Sequence, residues 1–389
     1  MRSIFIAASI VAIVSTVTQA TAQDYFGLDA RLEATLADFH ARYNFPGATA
    51  AIALPDGTVV TAATGLADLE NNLTMTPETP MLAASIGKTF VAATVLALES
   101  EGRLARTDLL AAHLGDRHWF ASLPNARTIT IGHLLQHSAG LPDHIQLPEF
   151  KSWWSRMATS DVMVDYEELV GLVTGKAPLF GAGTGWSYSD TGYLLLGLVI
   201  EKVSGAPWTD SVRERFLGPL KLSGTLASDR RILPGLAVGY VALDNPFSLP
   251  ERTADAGGRL LWDPAVEGAG GGLASTSHDL ALWGHLLFRG EAMSVPYLDR
   301  LLEGIPVSPE VSGVLYGAGV AIYSDTPRGV VYGHGGWIPG YVSSLRHYAD
   351  HGVTVVFQIN TDRGFLDNSS DLVPALEAAL ADLAIEAAQ

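Results

Sequence analysis

The stretch GATAAIALPDGTVVTAAT occupies residues 47–64. Gly47 to Leu54 and Thr58 to Thr64 are β-rich, and Pro55-Asp56-Gly57 between them is turn chemistry, so the stretch predicts an antiparallel hairpin. β-Rich runs return near the other end of the chain, at Val314 to Tyr323, Val330 to Gly333, Tyr341 to Ala349 and Val353 to Asn360. Outside these lie two helical patterns, Ala30 to Tyr43 and Asp371 to Ala388, and a third runs from about Ile86 to Glu101. Residues 105–290 read as helical segments divided by Gly- and Pro-rich loops. Strands at both ends around a helical centre imply an α+β fold: one antiparallel sheet built from both termini, flanked by helices, with a mainly helical region inserted. The α/β part spans about 23–104 and 291–389, the helical part about 105–290.

With 389 residues and 48% hydrophobic residues, the chain has ample material for a buried core, which excludes disorder and low-complexity architectures. Its formal charge of −17 opposes nucleic acid, whose binding needs cations to displace counterions. The chain has no cysteine, which removes disulfides and thiolate chemistry. Arg2, an apolar run from Ile4 to about Val17 and Ala20-Thr21-Ala22 read as a signal peptide covering residues 1–22. That run is shorter than the roughly 20 residues needed to span a bilayer. The reading predicts a periplasmic or secreted protein with no stable membrane insertion after cleavage.

Ser85-Ile86-Gly87-Lys88 opens the third helical pattern. Residues three apart share a helix face, so the Lys88 amine lies beside the Ser85 hydroxyl. The free N–H groups at a helix start favour developing negative charge there. A serine hydroxyl becomes a nucleophile when a neighbouring base takes its proton. A second element, Trp186-Ser187-Tyr188-Ser189-Asp190, precedes an apolar helix from Leu194 to Val203, and a tyrosine placed there projects a phenol into a cleft. A third, His334-Gly335-Gly336-Trp337, reads as a strand edge whose glycines permit close backbone approach to a ligand.

Together with Leu134 to Leu141, Gly270 to Ser275 and the Leu196-to-Gly205 region, these elements resemble the penicillin-recognising serine hydrolases, over about 30–385. This is the branch holding class C β-lactamases, D-alanyl-D-alanine carboxypeptidases, D-aminopeptidases and related esterases. The resemblance implies Ser85 as the acylated nucleophile, with Lys88 and Tyr188 sharing its proton and Tyr188 as the base. It implies an oxyanion hole from the backbone N–H groups of Ser85 and Trp337, each such donor contributing about 3–4 kcal/mol. It places His334 near the Tyr188 oxygen, and Asp190, Gly335 and Gly336 against the substrate. No cofactor is implied. The partner is a small ester, amide or D-peptide; β-lactamase activity and a non-catalytic penicillin-binding sensor are the alternatives.

Two positions depart from the family pattern. Asp190 stands where Asn is usual, and an ionised carboxylate donates no hydrogen bond to a substrate carbonyl. It is expected to pair with Lys88, or to bind a substrate ammonium. Gly335 stands where Thr is usual, which removes a hydroxyl contact to a substrate carboxylate. No metal site is read: His133 and His137 are four apart but lack the intervening Glu of H-E-x-x-H, and are expected to pack within helix and loop. Trp153 and Trp154 read equally well as core or as cleft wall.

Overall fold

A computed structural model describes residues 27–157, 160 and 162–389; the signal-peptide reading lies outside them. The 47–64 stretch forms its hairpin, with Ala53 opposite Val59 and Gly47 opposite Gly65. Among the described residues, nine strands make one antiparallel sheet. In spatial order they are Leu73–Thr74, Val59–Asp68, Gly47–Ala53, Val353–Ile359, Tyr341–Tyr348, Val331–Ile338, Ala321–Tyr323, Val314–Tyr316 and Ile305–Pro306. The first and last parts of the chain thus meet where Gly47–Ala53 pairs with Val353–Ile359. The α+β architecture is the expected one.

Both faces of the sheet are covered. Helices Leu28–Tyr43 and Leu372–Ala387 bury Leu32, Leu36, Leu376 and Leu380 against Ala50, Ile52, Val355 and Phe357 on one face. Burying side chains of this size stabilises by about 1.5–3 kcal/mol each. On the other face lies helix Ser277–Phe288, against Gly47–Ala53 and Val353–Ile359. It falls in the span read from sequence as the helical insertion, yet it packs directly on the sheet. Gly284 permits this, because a Cβ there would stand 2.9 Å from Thr354. Beyond it are helices Gly87–Ser100 and Asp190–Ser204, with apolar residues buried all round.

Three local features place the site. Residues 314–323, read as one run, are two strands separated by a turn with Gly319 at φ +68°. The Val331 strand continues past Gly333 to Ile338, and its pairing with Ala321–Tyr323 ends at Gly333. From His334 onward one of its edges is therefore free. A small sheet of Met81–Leu82, Leu273–Ser275 and Leu226–Ala227 ties the chain before Ser85 to the chain after Gly270. Among the described residues no helix is long and apolar enough to cross a membrane.

Candidate active site

Ser85 sits in the short turn Ala84–Ile86 that leads into helix Gly87–Ser100. Ala84, immediately before it, holds φ +50°, a conformation that costs an L-residue about 1–2 kcal/mol. The strain is held by close backbone packing on two sides. A Cβ on Gly336 would stand 2.3 Å from the Ala83 carbonyl oxygen, and one on Gly271 would stand 2.7 Å from the Ala84 carbonyl carbon. Glycine at these two positions lets the free strand edge and the 270–272 loop grip the nucleophile turn.

Lys88 and Tyr188 converge on Ser85 as the sequence predicts. Lys88 Nζ donates to Ser85 Oγ at 3.1 Å, and the Tyr188 hydroxyl donates to the same oxygen at 2.9 Å. Lys88 is fully buried. It also donates to Asp190 Oδ1 and to the Gly270 carbonyl. Three acceptors match the three N–H bonds of an ammonium, which has no lone pair left to take a proton. The expected pairing of Asp190 with Lys88 is present, and it sets Lys88 as a fixed positive charge. Burial, then the Asp190 charge, pushes the Tyr188 hydroxyl well above the ordinary tyrosine range, so the phenol keeps its proton at rest.

The free strand supplies backbone donors. Pro339-Gly340 closes a tight turn, with Gly340 at φ +87° and Ile338 opposite Tyr341. Pairing alternates along an antiparallel ladder, so the next residue, Trp337, turns its N–H away from Tyr341–Tyr348 and towards the open edge. Gly335 has the same orientation. His334 shares the cavity with Tyr188, the two ring centres 6.1 Å apart, and its Nε2 meets the Tyr316 hydroxyl at 2.9 Å. Tyr316 is itself buried. Burial, with the Lys88 charge, lowers His334 to about 3, so its ring is neutral.

Ser85, Tyr188, Asp190, His334, Gly335, Gly336 and Trp337 line one cavity of about 480 Å³. Phe150, Trp154, Phe247 and the Trp337 ring form an aromatic wall, with Trp154 and Phe247 centred 4.8 Å apart. Trp154 therefore lines the cleft, and Trp153 is buried beside it. Two further carboxylates, unread in the sequence, complete the lining: Asp143 and Glu267. Burial, then the Asp190 charge, raises Asp143 to about 7. Burial raises Glu267 to about 8, and its buried Oε2 has no hydrogen-bond partner. The signal for Glu267 was its place just before the glycine-rich stretch Gly268-Ala269-Gly270-Gly271-Gly272; Asp143 carried none.

A family model described as Beta-lactamase matches residues 32–380. The chain belongs to that family. Similarity to a penicillin-binding protein of Bacillus subtilis (strain 168) is 28% identity over 286 residues, covering 72% of this chain and 60% of the relative. A D-aminopeptidase of Gluconobacter oxydans (strain 621H) is 26% identical over 342 residues, 85% of this chain and 59% of the relative. The chain thus spans about 60% of the length of these two relatives. Among solved structures, a D-stereospecific amidohydrolase from Streptomyces sp. matches with TM-score 0.72 and 27% identity, covering 87% of this chain and 94% of that one.

Proposed function

We propose that this hydrolase cleaves amide or ester bonds of acyl groups that carry a free ammonium, in the manner of a D-aminopeptidase or D-amino-acid amidase. One observation carries the reading: Asp143 and Glu267 face the Ser85 cavity and, among the described residues, neither is paired with a lysine or arginine. As a basic neighbour Asp143 has only His144 at 3.7 Å, whose ring burial keeps neutral, while Asp190 is occupied by Lys88. Two carboxylates held in an apolar wall favour a substrate that brings its own positive charge. The stereochemical choice is supported by the likeness to D-specific relatives.

In the proposed cycle Ser85 Oγ attacks the scissile carbonyl. Among the described residues its hydrogen-bond partners are Lys88 and Tyr188, and the ammonium accepts no proton. Tyr188 takes the serine proton as it passes its own to the leaving nitrogen or oxygen, so no standing phenolate is needed. The carbonyl oxygen becomes an oxyanion held by the Ser85 and Trp337 N–H groups. Lys88 balances the negative charge that moves across Tyr188; its Nζ lies 4.9 Å from the centre of that ring. Water then enters along the reverse proton path, releasing the acid and regenerating Ser85. Residues 1–22 support export of the protein, and mass analysis of a protein secreted from its host, starting at Gln23, is the check.

The test is a substrate panel of D- and L-phenylalanine p-nitroanilide, N-acetyl-D-phenylalanine p-nitroanilide, p-nitrophenyl butyrate and a chromogenic cephalosporin. We expect turnover of the free-amine D substrate, at least about tenfold loss on N-acetylation, and no activity in Ser85→Ala. Equal rates for the free and acetylated amines would overturn ammonium recognition. One equivalent released without turnover would identify a sensor instead.

A further inference from the structure

A chain of hydrogen bonds runs beneath the cavity from the Tyr188 loop to the free strand, and its direction is fixed by its two ends. At one end the Ser189 N–H donates to His137 Nδ1 at 3.2 Å. That nitrogen is an acceptor, so a neutral His137 carries its proton on Nε2, which meets the Tyr316 hydroxyl at 3.1 Å. At the other end His334 Nδ1 meets the Gly335 carbonyl. A carbonyl only accepts, so Nδ1 carries the His334 proton and Nε2 is left as an acceptor. The Tyr316 hydroxyl, 2.9 Å away, donates to it. All three side chains are buried, and burial lowers both histidines into their neutral forms.

Each end holds a working part of the site. His137 accepts the Ser187 N–H on its carbonyl and the Ser189 N–H on its ring, one on either side of Tyr188. Its ring centre lies 4.2 Å from that of Tyr188. The backbone of His137 is in the left-handed region, φ +56°, a strained conformation that these contacts maintain. At the other end, Gly335 and Gly336 are two adjacent residues with wide backbone freedom. The His334 bond pins the carbonyl of the first, one peptide before the Trp337 N–H.

We propose that Tyr316 is a positioning residue for the reaction: through His137 and His334 it sets the Tyr188 phenol and the Gly335–Trp337 backbone in register around Ser85. This rests on the serine-hydrolase reading above, and it assigns His334 the part of a neutral brace rather than a proton carrier. Tyr316 lies on Val314–Tyr316, away from the cavity lining, and touches substrate nowhere in this scheme.

The test has two arms. Nitrogen-15 NMR of the full-length, histidine-labelled protein should show His137 as the Nε2–H tautomer and His334 as the Nδ1–H tautomer across neutral pH. Stopped-flow acylation of Tyr316→Phe, which removes the bridging oxygen alone, should be roughly 10- to 100-fold slower, with KM within about threefold of wild type. In that variant the His334 tautomer preference should relax. A wild-type His334 protonated on Nε2 overturns the proposal, and so does a folded Tyr316→Phe that acylates at the wild-type rate. The tautomers decide the matter even if the variant fails to fold or no substrate acylates Ser85, the second result counting against the hydrolase reading instead.

Discussion

At the scale of single residues, the site divides its labour between a charge that stays and a proton that moves. Lys88 spends all three N–H bonds on Ser85, Asp190 and Gly270, while the Tyr188 hydroxyl has Ser85 Oγ at 2.9 Å. Replacing Tyr188 by Phe removes the path for the serine proton and leaves the charge in place. Acylation should then fall by about 10²- to 10⁴-fold with KM little changed, measured by burst kinetics with an activated ester. If Lys88 were the base, Tyr188→Phe would cost far less. Ser85, Lys88 and Tyr188 were legible in the sequence because their chemistry sits in local patterns, a serine and a lysine one turn apart and a tyrosine before an apolar helix. Asp143, Glu267, His137 and Tyr316 reach the cavity or its floor only through tertiary folding. His334 was legible from its glycine-flanked strand edge, whereas nothing local in the sequence marks Tyr316 as the donor to its ring.

At the scale of elements, the nucleophile turn and the free strand work as a pair brought into contact at a glycine. Gly336 faces Ala83 and Ser343 so closely that a Cβ would stand 2.3 Å from the Ala83 carbonyl oxygen and 2.2 Å from Ser343 Oγ. The Ser343 hydroxyl donates to that same Ala83 carbonyl at 2.8 Å, stitching the sheet to the turn. Gly336→Ala must push the strand outward and carry the Trp337 N–H with it. A displaced oxyanion donor costs about 10²- to 10³-fold in kcat, so the variant should lose activity on that scale while remaining folded by circular dichroism. Activity near wild type would show that this strand edge holds no oxyanion. The sequence shows a β-rich run from Val330 to Gly333 and, separately, a strand edge at His334 to Trp337; the two are one continuous strand, Val331–Ile338. The strand continues because Tyr341–Tyr348 pairs with it through the glycines, and their missing side chains serve the approach to Ser85. The converse misreading joined residues 314–323, where β-rich apolar residues on both sides masked the turn at Gly317 to Gly319.

At the scale of the whole molecule, the sheet was legible because hairpin chemistry and β-rich runs marked both ends of the chain, whereas packing of Ser277–Phe288 onto it was hidden in a helix with no strong polar face. Burial of titratable groups around this core gives the stability a defined dependence on pH. His144, His334 and His347 are lowered by burial to about 4, 3 and 3, and His137 lies well below its usual range. Between these values and about 6.5 the unfolded chain binds protons that the folded chain refuses, so each histidine makes stability rise with pH over that window. Asp143 and Glu267 act in the opposite sense. Raised by burial to about 7 and 8, they keep protons that the unfolded chain releases from about pH 4 upward, so each lowers stability as pH climbs. His133 and His285 are lowered as well, while Glu201, Asp263 and Asp362 are raised like Asp143 and Glu267. Below about 6.5 the lowered histidines set the slope, and above it they are flat and the raised groups, His278 among them, act. The melting temperature should therefore peak between about pH 6 and 7 and decline towards pH 8. Glu267→Gln keeps the shape and removes the charge. It should nearly match wild type around pH 5 and exceed it at pH 8 by about 2–4 kcal/mol, the free energy of keeping protonated in the folded chain a carboxyl that the unfolded chain ionises. Denaturant titrations of both proteins at the two pH values measure the difference, and a variant less stable than wild type at pH 8 would mean that Glu267 has a cationic partner in the folded chain.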